Sequence, residues 1–322
     1  MTIRFVLDES SWRFAWDRRQ ELADAIDSLS TRVETATDRA EGVARHADLY
    51  EADLGDGIQL YAALFDPDCP LQLDRDLAER LRLAMDRAHV FADEDLESYD
   101  VSIGGVVRFA PGVSWAHRRI RDRQAVAVLP LAIEDPLQGE VPVVVSGVER
   151  AVHFVVSESC HRGFFRSAIV VEDVDPEAFS GIAQSAFPDL RWANGVWGGL
   201  RRHRRHFFGE HRATLVRHLS VLDDDGASLF HANPGGQGID QELGARGVDA
   251  SPENGNARRH NPSIADRRRN YDGVEHVFWW HTKICWNLGR VHFVHIPPRP
   301  HRGDPPHGHI AVGIFTDHCV LP

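Results

Sequence analysis

The sequence predicts an α+β protein with a helical, acidic N-terminal part, a small central mixed sheet with helices, and a C-terminal antiparallel β-hairpin module. Three observations carry this. Apolar residues repeat at steps of four and three within the first fifty residues, short β-prone runs broken by Gly and Pro begin at Val101, and three more β-prone runs close the chain after a stretch rich in Gly, Asn and Pro. The 322 residues, 43% hydrophobic and 26% charged, suffice for one large core or two smaller ones and exclude disordered and fibrous classes.

Residues 11–47 read as helix, because Leu22, Ile26, Leu29, Val33, Ala36, Ala40 and Val43 form a heptad seam. Such a seam covers the helix's own domain or, alternatively, joins two copies in a homodimer. A second helix is predicted over Leu73 to His89. Strands are predicted over Val101 to Phe109, Ala125 to Ile133, Val141 to Ser146 and Ala151 to Val156. Helical spacing returns over 176–187 and 198–222, the latter stopped by Asp223-Asp224-Asp225-Gly226. Residues 231–273 read as a loop-rich linker with one short helix near Ile239 to Arg246. The last strands are Val277 to Cys285, Arg290 to Ile296 and His309 to Thr316, the first two joined by a hairpin turn at Trp286-Asn287-Leu288-Gly289. Four parts follow: 1–95, 96–230, 231–273 and 274–322.

Charge divides the chain. Residues 1–100 hold 24 acidic against 11 basic side chains and residues 101–322 hold 24 against 25. A negative half repels phosphate backbones, so an RNA partner is expected to meet the C-terminal part. No run of about eighteen apolar residues and no leader-like N terminus is present, so the expectation is a cytoplasmic protein with no membrane partner. Cys69, Cys160, Cys285 and Cys319 are scattered and read as reduced thiols. No nucleotide-cradling glycine loop and no G-x-S-x-G is found, and no cofactor is expected.

Of 36 basic residues, 35 are Arg and one is Lys283, a bias typical of a GC-rich genome. A retained Lys points to a place where a compact, rotatable ammonium is needed. With the turn centred between Asn287 and Leu288, Cys285 lies opposite Arg290 and Lys283 opposite His292, and period-two alternation adds His281 to that face. A slip of one residue substitutes Thr282 and Ile284. The other face carries Trp280, Ile284, Val291 and Phe293, suited to a core. The candidate catalytic set is therefore His281, Lys283, Arg290 and His292. Cations that stabilise a pentavalent phosphate, beside an imidazole that moves the 2′-hydroxyl proton, are the equipment of metal-independent RNA cleavage. The competing reading is a solvated strand face.

Trp280-His281-Thr282-Lys283, Gly289-Arg290-Val291-His292-Phe293 and Ile310-Ala311-Val312-Gly313-Ile314 together resemble the antiparallel sheet of RelE-type ribosome-dependent ribonuclease toxins. The likeness covers some fifty residues. It implies a toxin-like ribonuclease sheet, although those toxins are small and basic and this chain is long and acidic.

Candidate nucleic-acid contacts are Arg201, Arg202, Arg204 and Arg205, and the run Arg267, Arg268 and Arg269. Arg201-x4-His206 is similar to the R-x4-6-H signature of HEPN ribonucleases, a spacing that composition alone produces in so basic a stretch. His301, His307, His309, His318 and Cys319 offer ligand types for zinc without a second ligand-spaced pair, so no metal is assigned. Ser157 to His161 reads as a loop in which Cys160 and His161 do not pair. The functional expectation is an RNA-directed effector, either a metal-independent ribonuclease or an RNA-binding protein. The alternative is a non-catalytic interaction or scaffold component of a bacterial multi-protein system, with Trp279, Trp280 and Trp286 as a partner surface.

Overall fold

The computed structural model describes residues 2–12, 19–71, 73–92, 98–131, 137–285, 288–299 and 305–317. The α+β class holds, but the chain divides into two units, Met1–Phe164 and Phe165–Pro322, rather than at 95, 230 and 273.

In the first unit, β1 (Ile3–Leu7), β2 (Gly42–His46), β3 (His89–Phe91), β4 (Asp100–Ile103), β5 (Val106–Phe109), β6 (Ala127–Leu129), β7 (Gly139–Val145) and β8 (Val148–Phe154) form one sheet. Its order is β3-β2-β1-β6-β8-β7-β4-β5. The first five are mutually parallel and β7, β4 and β5 follow antiparallel. Helices α1 (Arg19–Asp38), α2 (Leu60–Phe65), α3 (Arg75–Asp86) and α4 (Pro111–Arg121) belong to this unit, and the division falls within α5 (Glu158–Val171). Parallel strands are covered on both faces, and accordingly Phe5, Val6, Leu7, Ala127, Val128 and Leu129 are all buried.

The N-terminal hundred residues are thus mixed α/β, not helical. Helix α1 ends at Asp38 because Ala40 takes a left-handed φ of 58° and Gly42 opens β2, which contains Val43. Val43 continued the heptad only in sequence. Leu22, Ile26, Leu29, Val33 and Ala36 are buried within the unit, so this seam does not present itself to a second copy. Helix α4 lies between predicted strands. Its signals are Pro111 at the first turn and Arg118, Arg119 and Arg121 in the last, where cations favour the helix dipole. Ser157 to His161 opens α5 instead of forming a loop, with Cys160 turned to Ser157 Oγ and His161 to Glu41.

In the second unit come α6 (Pro176–Ala186), β9 (Arg191–Trp192), α7 (Val196–Arg202), α8 (Arg212–Val221), α9 (Ala227–Ala232) and α10 (Ile239–Ala245). They are followed by β10 (Ala250–Pro252), α11 (Asn261–Asp266), β11 (Arg268–Tyr271), β12 (Val274–Val277), β13 (Trp280–Lys283), β14 (Arg290–Ile296) and β15 (His309–Thr316). The main sheet runs β10-β13-β14-β15-β9, antiparallel except at β9, and β11-β12 is a separate hairpin. Residues 231–273 are not a linker. Their turn signals separate real elements, and Ile239, Leu243 and Val248 are fully buried. The Asp223-Asp224-Asp225 run does not stop a helix either. It forms a π turn (Leu222–Gly226) joining α8 to α9, in which buried Asp223 accepts the Asp189 and Leu190 amides at 2.8 and 2.9 Å and pairs with Arg166 at 2.7 Å. Among the described residues, no helix is long and apolar enough to cross a membrane.

Candidate functional site

The hairpin register sets the site. Lys283 pairs opposite Arg290 and His281 opposite His292, a shift of two residues from the register expected, with Trp286 and Asn287 outside the described residues. An even shift keeps every side chain on its face, so the four predicted residues remain together while their partners change. On the other face Val291 and Phe293 are buried, and Trp280 packs edge-on against Phe230, with ring centroids 5.1 Å apart.

A β-bulge shapes the neighbourhood of His292. It pairs with Ile314 while Phe293 pairs with Val312, which leaves Gly313 unpaired on β15. A Cβ on Gly313 would lie 2.5 Å from the Phe278 ring, so only glycine admits that ring. The Phe278 carbonyl in turn receives the Nδ1–H of His292 at 3.3 Å.

Two residues that sequence reasoning did not assign to this site complete it. β10 pairs with β13, Ser251 opposite His281, and thereby delivers Glu253. Glu253 Oε1 lies 3.5 Å from His281 Nδ1, an atom that has no hydrogen-bond partner, and Ser251 Oγ lies 3.4 Å from His281 Nε2. Arg267, 1% exposed, donates to Glu253 Oε1 at 2.8 Å and to the Ser263 carbonyl at 2.9 Å. Arg267 is therefore an internal ion-pair partner and not a surface nucleic-acid contact. Its neighbour Arg268 is exposed but paired with Glu275 at 3.1 Å, and half-buried Arg269 donates to the Asp266 and Arg268 carbonyls. The signal available for Glu253 was the Glu253-Asn254-Gly255 turn, which marks a loop but not where its carboxylate points.

The electrostatics follow from burial. His281 is pushed down to about 3, first by desolvation and then by Arg290, Lys283 and Arg267. His292 is held well below its ordinary value by desolvation, then by His281 and Arg267. Both rings, 5.2 Å apart, are neutral at pH 7. Lys283 pairs with Asp249 at 2.9 Å, and the Asp249 side chain is 63% exposed, a contact that a competing anion displaces at little cost. Glu253, His281 and His292 also offer metal-ligand atoms within 4.8 Å of one another. A dication there would face Arg267 on the same carboxylate oxygen, with Arg290 and Lys283 also acting on the His281 ring.

The basic segment adjoins this hairpin. Gly289, at φ 76°, approaches so closely that a Cβ would lie 2.8 Å from the His206 carbonyl. Arg201, Arg202, Arg204 and Arg205 are all exposed. They do not form one helix, since α7 ends at Arg202 and a short 3₁₀ turn carries Arg204–His206. His206 is buried and sits 3.1 Å from Asp317, so the Arg201-x4-His206 spacing does not bring an exposed pair together. His301, His318 and Cys319 lie outside the described residues, and His307 and His309 join no metal-ligand group among those described. No family model, no curated protein and no solved structure matches the chain.

Proposed function

We propose that this protein is an RNA-directed effector that cleaves phosphodiester bonds at the β13–β14 face. The observation that carries the reading is the in-line set Ser251, His281 and Glu253, with Lys283 and Arg290 paired across the strands beside it. The neutral His281 ring, with Ser251 Oγ 3.4 Å from its Nε2 and the Glu253 carboxylate 3.5 Å from its Nδ1, supplies a proton acceptor, and the cations beside it hold the charge that builds on the phosphoryl oxygens. The 2′-hydroxyl of the cleaved strand attacks phosphorus as His281 takes its proton, the P–O5′ bond breaks to leave a 2′,3′-cyclic phosphate, and the proton carried on His281 passes to the departing 5′-oxygen. The exposed Arg201, Arg202, Arg204 and Arg205 next to the hairpin turn support binding of a phosphate backbone. The strand pattern similar to RelE-type sheets supports the same reading.

The test is cleavage of defined single-stranded RNA by the purified chain in chelator. His281→Ala is expected to lower the rate by about 10²- to 10⁴-fold. Ser251→Ala retains cleavage if the RNA hydroxyl is the nucleophile and loses it if Ser251 is. Absence of both cleavage and RNA binding would reject the proposal and favour the second reading, a non-catalytic interaction component. What favours that second reading is the exposed apolar edge of the first unit.

A further inference from the structure

β5 ends the eight-stranded sheet, and among the described residues no strand pairs with its outer side. Natural edges of this kind are usually shortened, charged, bulged or covered, because an open row of amides and carbonyls recruits another strand. β5 is short, at four residues, and carries one charge, Arg108, but its pairing with β4 has no bulge and its other three side chains are apolar. Val106, Val107 and Phe109 are 54%, 67% and 56% exposed. The strand is nevertheless well formed, paired residue by residue from Val106 to Phe109 with β4, and Phe109 stacks on Tyr99 with ring centroids 5.5 Å apart. Alongside it lies an open cavity of about 740 Å³ lined by the exposed carboxylates of Asp48, Glu51 and Asp53, with Arg108 as the one cation among its lining residues.

We infer that β5 pairs with β5 of a second copy of this chain, about a two-fold axis through Val107. Opposite residues of an antiparallel pair share a face, so a two-fold axis normal to the sheet must pass through a residue and not between two. Centring on Arg108 opposes two guanidinium groups. Centring on Val107 opposes two exposed valines and places Arg108 of each copy opposite Val106 of the other, beside the acidic rim of the partner's cavity. The apolar edge and the charge complement are therefore both satisfied by this register. The heptad seam of α1, the alternative dimer surface in the sequence, is already covered within its own unit.

The experiment is sedimentation velocity of the full chain over a wide concentration range, at low and high salt, with Val107→Lys beside the wild type. The expected result is a concentration-dependent monomer–dimer equilibrium, weakened by salt and shifted to monomer in Val107→Lys, with circular dichroism unchanged and with melting equal to that of the wild type at concentrations where the wild type is monomeric. A second arm places a cysteine at the axis. Antiparallel partners lie about 4.5–5.5 Å apart at Cα, within disulfide reach, so Val107→Cys should cross-link to a dimer on mild oxidation, while Val90→Cys on the opposite edge strand should not. A monomer at every concentration, a dimer indifferent to Val107→Lys, or equal cross-linking at positions 90 and 107 would overturn the proposal. None of these readings depends on RNA cleavage.

Discussion

Glu9 in the first unit and His281 in the second are each 6% exposed, and burial drives them in opposite directions. Glu9 accepts the Gly112 amide at 2.8 Å through one oxygen, while its other oxygen is buried without a partner. Desolvation is the dominant influence and raises its carboxyl to about 8. His281 is lowered to about 3 by the same cause, reinforced by three cations. Both are neutral at pH 7, yet one is an acid that keeps its proton and the other a base that has lost it. The difference teaches that burial alone yields a neutral group, and that the cations around it decide what the group is poised to do. At Glu9 desolvation comes first and the neighbouring Asp8 adds to it, and the residue serves as an acceptor at the start of α4. At His281 three cations add to desolvation and hold the ring unprotonated.

The largest expected effect comes from making Glu253 resemble Glu9. Arg267→Met strands the Glu253 carboxylate, whose side chain is 9% exposed, without its guanidinium. Loss of one partner of a buried pair costs about 3–5 kcal/mol, read by urea denaturation followed in the second unit. Adding Glu253→Gln should recover most of it, and failure to recover would mean that Arg267 matters through packing instead of charge.

Next come two pH profiles of opposite sign. Glu9 has a folded value near 8 against an ordinary 4.5, so between those values the folded chain holds a proton that the unfolded chain has released. Stability therefore falls as pH rises through that window, by about 1.4 kcal/mol per pH unit for this one proton, and Glu9→Gln should remove that slope. For His281 the folded value lies near 3 against an ordinary 6.5, and the unfolded chain binds the extra proton. Stability is present above about 6.5 and lost as pH falls toward 3, again by about 1.4 kcal/mol per unit, and His281→Gln should flatten that part of the acid limb. Melting scans in chelator from pH 4 to 9 check both, and slopes unchanged in the variants would remove the contrast.

The smallest stability effect is at Lys283. Its side chain is 31% exposed and its partner Asp249 is 63% exposed, so Lys283→Met should change stability by only about 0–1 kcal/mol. If Lys283 meets phosphate, the same variant should reduce the salt dependence of RNA binding by about one ion, measured by fluorescence anisotropy across a salt series. An unaltered slope would assign Lys283 to Asp249 alone.

Much of the second unit was legible before its structure. The last two strands, β14 and β15, fall where their β-prone runs predict, and the helix over 176–187 appears as α6. The first unit was less legible. β1 is five residues at the chain start, β2 hid inside a heptad pattern that Val43 happened to continue, and α4 is short and carries buried Ser114 and His117 that blur its apolar face. Parallel strands are paired with distant segments, and no local period announces them.

By itself the sequence determined which side chains of the hairpin share a face, because alternation in a strand has period two and survives any even change of register. It also determined that Lys283, Arg290 and two imidazoles share one strand face, and that the acidic excess belongs to the first hundred residues of the sequence while the Arg cluster at 201–205 comes later along it. Only the tertiary structure decided that Ser251 and Glu253 reach His281, that Arg267 is an internal partner and that the α1 seam is closed. Those outcomes depend on β10 docking on β13 and on helices packing on sheets, contacts between distant segments whose free energy comes from burial and charge compensation and leaves no spacing to read along the chain.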